Sequence, residues 1–151
     1  AEVPVDLVGM DSEALGGLGE IDHDHLHAMA ARYRFFFNPI RYTSLGLAVC
    51  EAMMVGLPII GLATTEMVTA VQNGVTGYVS TSIPWLIERM HDLLTFPGQA
   101  QLLGEAARQQ ALDRFHIDRF SRDWEAALNL VTGKGTAVFP AIPLPASPPH
   151  L

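Results

Sequence analysis

The chain has little of what marks a secreted or nucleic-acid-binding protein. Cys50 is the only cysteine among 151 residues, which excludes an internal disulfide and fits a reducing, cytoplasmic compartment. We expect its thiol to be buried and structural. Basic residues are also few, because nine Lys and Arg stand against 16 Asp and Glu, giving a formal net charge of −7. That balance argues against nucleic acid and anionic lipid as partners.

Long hydrophobic runs are absent as well, since Gly, Pro, Asp or Glu interrupts each apolar stretch before it reaches the length of a membrane span. No basic segment followed by an apolar stretch opens the chain, so no secretory signal is visible. The start, Ala-Glu-Val-Pro, lacks methionine, and we interpret the chain as a processed form or a fragment. Hydrophobic residues nevertheless make up 49%, enough for a real core.

Alternating strand and helix signals predict an α/β fold with a mostly parallel sheet, followed by three consecutive helices. Strands are predicted over residues 3–10, 34–38, 57–63 and 75–80, with a loop over 11–22. Helices are predicted over 25–33, 45–55, 65–72, 83–94, 97–115 and 117–132. We expect residues 1–132 to form one domain and the proline-rich residues 133–151 to be a disordered tail.

The helix predicted over residues 45–55 has one charged residue, Glu51, among apolar side chains and glycine. Burying a lone carboxylate is costly unless something binds it. Gly46 lies near the start of this helix, where free amides and the helix dipole favour an anion, and Gly56 ends it before a buried strand. This layout predicts a nucleotide-binding crevice; the alternative for Glu51 is a salt bridge with Arg41 or Arg34.

Several motifs give the chain a resemblance to a known family. They are Pro39, Thr43-Ser-Leu-Gly-Leu47, Glu51-Ala-Met53, Gly56-Leu-Pro-Ile-Ile60, Gln72-Asn-Gly-Val-Thr-Gly77, and Phe120-Ser121 with Trp124. In this order and spacing they resemble the C-terminal, nucleotide-sugar-binding domain of retaining GT-B glycosyltransferases of group 1, over about residues 33–130. The resemblance implies a Rossmann-like half of the GT-B fold, truncated on its N-terminal side.

The resemblance also implies roles for individual residues. Glu51 would hold the ribose hydroxyls of the nucleotide, and the backbone amides of Leu45, Gly46 and Leu47 would contact the diphosphate. A carboxylate can accept protons from two vicinal hydroxyls, and a side chain larger than glycine at position 46 would keep phosphate away. Thr43 and Ser44, just before these amides, would lie near the sugar.

Two departures from the family signature leave the catalytic residue unassigned. Thr43 and Ser44 stand where the family has its first glutamate and a glycine, so the negative charge beside the reacting carbon is missing. The family's Gly-Gly element reads Thr64-Thr65-Glu66, and Glu66 could restore an acid from that loop. We regard Arg41, Thr65 and Glu66 as further candidate contacts.

For the parent protein the resemblance implies a hexosyltransferase-like enzyme of carbohydrate biosynthesis that needs no metal or other cofactor. Its carbohydrate or lipid-linked acceptor would be held by a separate N-terminal domain, so the chain alone would be inactive. Any membrane association would come through the missing parts. The alternatives are a non-catalytic or degenerate nucleotide-binding or interaction module, and an unrelated doubly wound nucleotide-binding domain.

Three other segments allow a functional interpretation beside a structural one. The run Asp22-His-Asp-His-Leu-His27 could supply metal ligands, but we favour a solvated loop and helix start and predict no metal site. Phe35-Phe-Phe37 fits a buried central strand better than a stacking site. Gly16-Gly-Leu-Gly19 is a weak phosphate-loop candidate in a region that we otherwise predict to be a plain loop.

Overall fold

The computed structural model describes residues 2–42 and 44–134. After a short 3-10 helix at Ser12–Leu15, the elements are α1 (His23–Ala30), β1 (Phe36–Asn38), α2 (Leu47–Val55), β2 (Ile59–Leu62), α3 (Met67–Ala70), β3 (Gly77–Ser80), α4 (Ile83–Thr95), α5 (Pro97–Phe115) and α6 (Ile117–Val131). The order confirms the α/β prediction with its three closing helices. Residues 135–151, most of the predicted tail, lie outside the described part of the chain.

The three strands form one parallel sheet in the order β1-β2-β3. Phe36 pairs with Ile59, which confirms that the aromatic strand and the 59–62 strand are neighbours. All four residues of β2 are buried, as expected for the middle strand of a covered parallel sheet. The prediction of a central, buried strand at residues 35–37 is wrong. Within the described residues β1 is an edge strand, so its phenylalanines are only half-buried.

Successive residues of β2 point to opposite faces of the sheet, and each face has its own hydrophobic core. Ile59 packs on one face with side chains of α2 and the second half of α5, whereas Ile60 packs on the other with side chains of α4 and the first half of α5. Both isoleucines are fully buried. The long helix α5 therefore contributes to both cores and fixes the helices around the sheet.

The end of α2 is held directly against the backbone of α5. Gly56, the residue after α2, has φ 93°, a left-handed conformation that favours glycine. A Cβ at Gly104 of α5 would lie 2.0 Å from the carbonyl oxygen of Gly56. This close approach of two glycines fixes where α2 ends, and the predicted glycine stop at residue 56 is confirmed.

The strand predicted over residues 3–10 does not form. Leu7 and Gly9 instead bond to the other side of a closed loop: the amide of Leu18 donates to the carbonyl of Leu7 (2.8 Å), and that of Gly9 donates to Gly19 (2.9 Å). The buried Ser12 hydroxyl also accepts from the Gly19 amide at 2.9 Å. With these groups used inside the loop, the segment cannot join the sheet. A Cβ at Gly17 would lie 2.5 Å from the Leu7 oxygen, so loop closure accounts for that glycine.

The last helix, α6, has the predicted spacing of apolar residues but buries none of them fully. Phe120, Trp124 and Leu128 lie on one face, four residues apart, and each is more than half exposed. This face is therefore apolar and open to solvent. Among residues 2–42 and 44–134, no helix combines the length and the apolar character needed to cross a bilayer.

Candidate functional site

Two loops lie side by side at the carboxyl ends of β1 and β2. Asn38, the buried last residue of β1, accepts a hydrogen bond from the amide of Ile40 through Oδ1 (3.1 Å) and so fixes the turn that opens residues 39–46. From the loop after β2, the Thr64 hydroxyl donates to the carbonyl of Ile40 at 3.4 Å. Parallel α/β sheets place their ligands at this edge.

The start of α2 lies at the end of the first loop and is open. Gly46, its N-cap, is extended (φ −74°, ψ 148°), and a Cβ there would meet nothing within 4 Å. Neither backbone conformation nor packing therefore requires glycine at this position. The first amides of a helix have no acceptor within the helix, and its dipole makes this end positive. The α2 start thus has unshielded N–H groups beside open space.

The residues around Gly46 differ in burial. Leu45 packs against the core that contains Val49 and Met53, whereas the Leu47 side chain is 80% exposed. Arg41 and Ser44 are exposed, and Tyr42 is 95% exposed. Thr43 lies outside the residues that the structure describes. Leu45 thus anchors the junction of loop and helix, and the side chains around it face solvent.

Glu51 lies one turn beyond Leu47 on the same side of α2. Its side chain is 34% exposed. The carboxylate is therefore only partly buried, and the prediction of a buried carboxylate is wrong. Its hydrogen-bond partner is the Nε2 atom of His23, 3.2 Å from Oε1, rather than Arg41 or Arg34. The reason is tertiary: α1 packs beside α2 and brings its first residue to the middle of α2.

The loop after β2 holds a strained residue. Thr65 has φ 40°, a left-handed conformation uncommon for a β-branched side chain and worth about 1–3 kcal/mol of strain. It belongs to Thr64-Thr65-Glu66, the segment in which this chain lacks the two glycines of the family signature. Glu66 is engaged locally, because its Oε2 accepts from the Thr69 hydroxyl at 2.7 Å. That bond gives Glu66 a role at the start of α3.

Comparison with known proteins decides the family. The family model described as group 1 glycosyl transferases matches residues 9–96, more than half of the chain. The chain belongs to this family. Among solved structures, it is similar to a sucrose-phosphate synthase from Thermosynechococcus elongatus, with a TM-score of 0.71 at 21% identity. That match covers 79% of this chain but only 30% of that protein, and it supports the fold alone. No curated protein sequence matches the chain.

The group 1 assignment and the GT-B-like α/β fold that the motifs implied are thereby confirmed. Within this glycosyl transferase domain, the residues from Pro39 to Ile60 that carried the resemblance run from the end of β1 through α2 to β2. Leu45, Gly46 and Leu47 form the junction of loop and helix, and Glu51 follows on α2. The structure places Leu45 and Gly46 just before α2 and Leu47 and Glu51 on it.

A depression of about 310 Å³ lies at the other edge of the sheet. Residues that precede the strands line it, including Arg34 before β1 and Pro58 before β2, together with Gly98 at the start of α5. None of the predicted site residues that the structure describes lines it. The candidate site of this group 1 glycosyl transferase domain is therefore an open surface at the carboxyl edge, away from that depression.

Two observations concern the neighbours of Glu51. Burial raises the pKa of the Cys50 thiol, which keeps it protonated and fits a structural role, although the residue is only half-buried. His23, by contrast, was not among the predicted site residues, yet it is the residue that contacts Glu51. Since 28 positions separate the two along the chain, no local spacing could have paired them.

Proposed function

We propose that this chain is the donor-binding part of a glycosyltransferase, which moves a sugar from a nucleotide-sugar to an acceptor with retention of configuration. One observation carries the proposal: the open start of α2 and the accessible Glu51 carboxylate lie one turn apart on the same helix, at the carboxyl edge of the sheet. The helix start suits an anion, and the carboxylate suits a pair of hydroxyls.

The diphosphate of the donor would bind at the α2 start. The amides of Leu45, Gly46 and Leu47 would donate to its oxygens, and the helix dipole would add to the attraction. The open space beside Gly46 supports this assignment, since its position as N-cap favours glycine over alanine but packing gives no further reason for glycine there. A ligand that approaches the backbone closely would give one.

The ribose would bind at Glu51. A carboxylate accepts hydrogen bonds at two oxygens, and the contact with His23 involves Oε1. About a third of the side chain remains accessible, which leaves room for a hydroxyl. His23, although exposed, would then orient the carboxylate through its 3.2 Å contact with Oε1.

The sugar would lie toward the two loops at the sheet edge. Thr43 and Ser44 would contact it from the first loop, and Thr65 and Glu66 from the second, with Arg41 near the phosphates. In this chain threonine stands where the family has its first acid, so any charge beside the reacting carbon must come from another residue, and Glu66 is our candidate.

Transfer requires that donor and acceptor be held together in one crevice. We propose that another domain holds a carbohydrate or lipid-linked acceptor, that hexose is the transferred group, and that the isolated chain transfers no sugar. We further propose that transfer needs no metal or other cofactor, and that the reaction is cytoplasmic, in line with the single cysteine.

One observation favours a second candidate, a non-catalytic nucleotide-binding module derived from such an enzyme. The neutral Thr43 removes the charge that the family places beside the sugar. Such a module would bind the nucleotide equally well but would not distinguish nucleotide-sugars from plain nucleoside diphosphates. Restoring the acid with Thr43→Glu separates the two candidates, because only an intact sugar subsite would then change its preference among sugars.

The experiment for the binding role is calorimetric titration of UDP, GDP and ADP into wild type and Glu51→Gln. We expect Glu51→Gln to weaken binding of the preferred nucleotide by ~1.5–3 kcal/mol, the usual worth of a charge-assisted hydrogen bond. Folding should change little because the side chain is partly exposed. Glu125→Gln makes the same change on the exposed face of α6 and should bind like wild type. Equal affinity of wild type and Glu51→Gln would make Glu51 a structural residue only.

A further inference from the structure

Two histidines of α1 face Glu51 of α2. His23 and His27 are four residues apart, so they lie on the same side of their helix. Their rings meet edge to face with centroids 4.7 Å apart. One ligand atom from each histidine and one carboxylate oxygen of Glu51 all lie within 4.8 Å of one another. The three side chains therefore converge on one point between two helices.

These distances are close to those of a metal site. Zinc bonds of about 2.0–2.1 Å in a tetrahedral arrangement place two ligand atoms about 3.3 Å apart. The Nε2 atom of His23 and the Oε1 atom of Glu51 are already 3.2 Å apart. The ligand atom of His27 lies within 4.8 Å of the other two and would move closer by up to about 1.5 Å to reach the same spacing.

The chemistry of the three groups narrows the choice of ion. Two imidazoles and one carboxylate suit zinc and similar first-row transition ions, whereas magnesium and calcium prefer oxygen ligands. The cluster is open on one side, because His23 is exposed while His27 and Glu51 are half-buried. An ion there would keep a fourth position for water or an incoming ligand.

We propose that His23, His27 and Glu51 bind one divalent transition-metal ion, with Zn²⁺ the best match. This site goes beyond the proposed function and departs from our sequence-based prediction of no metal site. The hydrogen bond between His23 and Glu51 gives His27 no role, whereas a metal site would use His27 as its third ligand. The ion would join α1 to α2 beside the donor-binding surface. Glu51 has two carboxylate oxygens, so a metal on one leaves the other for a ribose hydroxyl.

The test is metal binding by the full chain without any affinity tag, measured by zinc calorimetry and by the visible absorption of bound Co²⁺. Wild type should bind one ion per chain and give the strong absorption of a four-coordinate site. His27→Ala and His23→Ala should each raise the Kd at least ~10-fold and weaken that absorption. Zinc should also raise the melting temperature of wild type but not of His27→Ala.

His25→Ala is the matched control. It removes an imidazole from the same helix, but residue 25 is two positions from each ligand and so points to the other side, where its side chain is 80% exposed. We expect its Kd to stay within about twofold of wild type. Three outcomes would overturn the proposal: no stoichiometric binding, equal binding by wild type and His27→Ala, or an equal loss in His25→Ala. Because metal is the only ligand added, none of these outcomes bears on nucleotide binding.

Discussion

The core around β2 and the surface at the start of α2 use glycine for different reasons. In the core, a Cβ at Gly77 or Gly104 would lie 2.0 Å from a backbone oxygen, so packing alone requires glycine. At Gly46 a Cβ would meet nothing within 4 Å. The exposed Leu47 of the same sheet edge likewise does nothing evident for stability, and Thr65 there is held in a strained conformation. Features that stability does not explain point to function.

Gly104→Ala should give the largest effect on stability. The added methyl group would collide with the carbonyl of Gly56, and both partners are backbone, so neither can move without shifting α2 or α5. We expect a loss of about 3 kcal/mol or more in the free energy of unfolding, measured by urea denaturation. Gly98→Ala, in the same helix but beside open space, should change stability by less than about 1 kcal/mol. Equal losses would mean that the two helices approach less closely than described.

A pair of leucines compares the two regions directly. Leu93 of α4 is fully buried, so Leu93→Ala should cost about 2–5 kcal/mol through lost burial and the cavity left behind. Leu47 is 80% exposed, so Leu47→Ala should change stability by less than about 0.5 kcal/mol. Urea denaturation of both variants tests this, and a cost above 1 kcal/mol for Leu47→Ala would show that the side chain packs against something.

Thr65→Gly should stabilise the protein by up to about 1 kcal/mol. Glycine relieves the left-handed strain, although part of that gain is offset by the greater freedom of glycine in the unfolded chain and by any interaction of the Thr65 side chain that is lost. Thr81→Gly is the control, because Thr81 also follows a strand but is not among the positive-φ residues. It should destabilise slightly in the same denaturation experiment. If the two variants lose stability alike, Thr65 is not strained.

Local signals predicted the elements well. The helix predicted over residues 97–115 has the same bounds in the structure, because Pro97 fixes its start and helix formers predominate from Glu105 to its end. The glycine stop at Gly56 also followed from short-range chemistry, and the parallel pairing of the aromatic strand with the next strand followed from the order of strands and helices along the chain. Such features depend on neighbours in sequence, which is why one sequence suffices for them.

Tertiary neighbours decided what the sequence could not predict. Glu51 is bonded to His23, a residue on another helix, and no spacing rule pairs the two. Residues 3–10 have an apolar alternation typical of a strand, but their backbone groups bond to residues 18 and 19 instead. For the candidate site, the motifs predicted which residues lie together on α2 but not the partner of its carboxylate. The role of Thr43 stays a prediction, since the structure does not describe that residue.

The central claim, that the α2 start binds the donor diphosphate, is tested most directly at Gly46. A methyl group there would touch no atom of the described residues, so a loss of binding without a matching loss of stability comes from the ligand. Alanine is a poorer N-cap than glycine and can cost up to about 1 kcal/mol, so melting is measured beside calorimetric titration of UDP, GDP and ADP. We expect Gly46→Ala to raise the Kd of the preferred nucleotide at least ~10-fold, about 1.4 kcal/mol, while Gly98→Ala binds like wild type. Equal affinity of Gly46→Ala and wild type, or no binding of any of the three nucleotides to wild type, would contradict the claim.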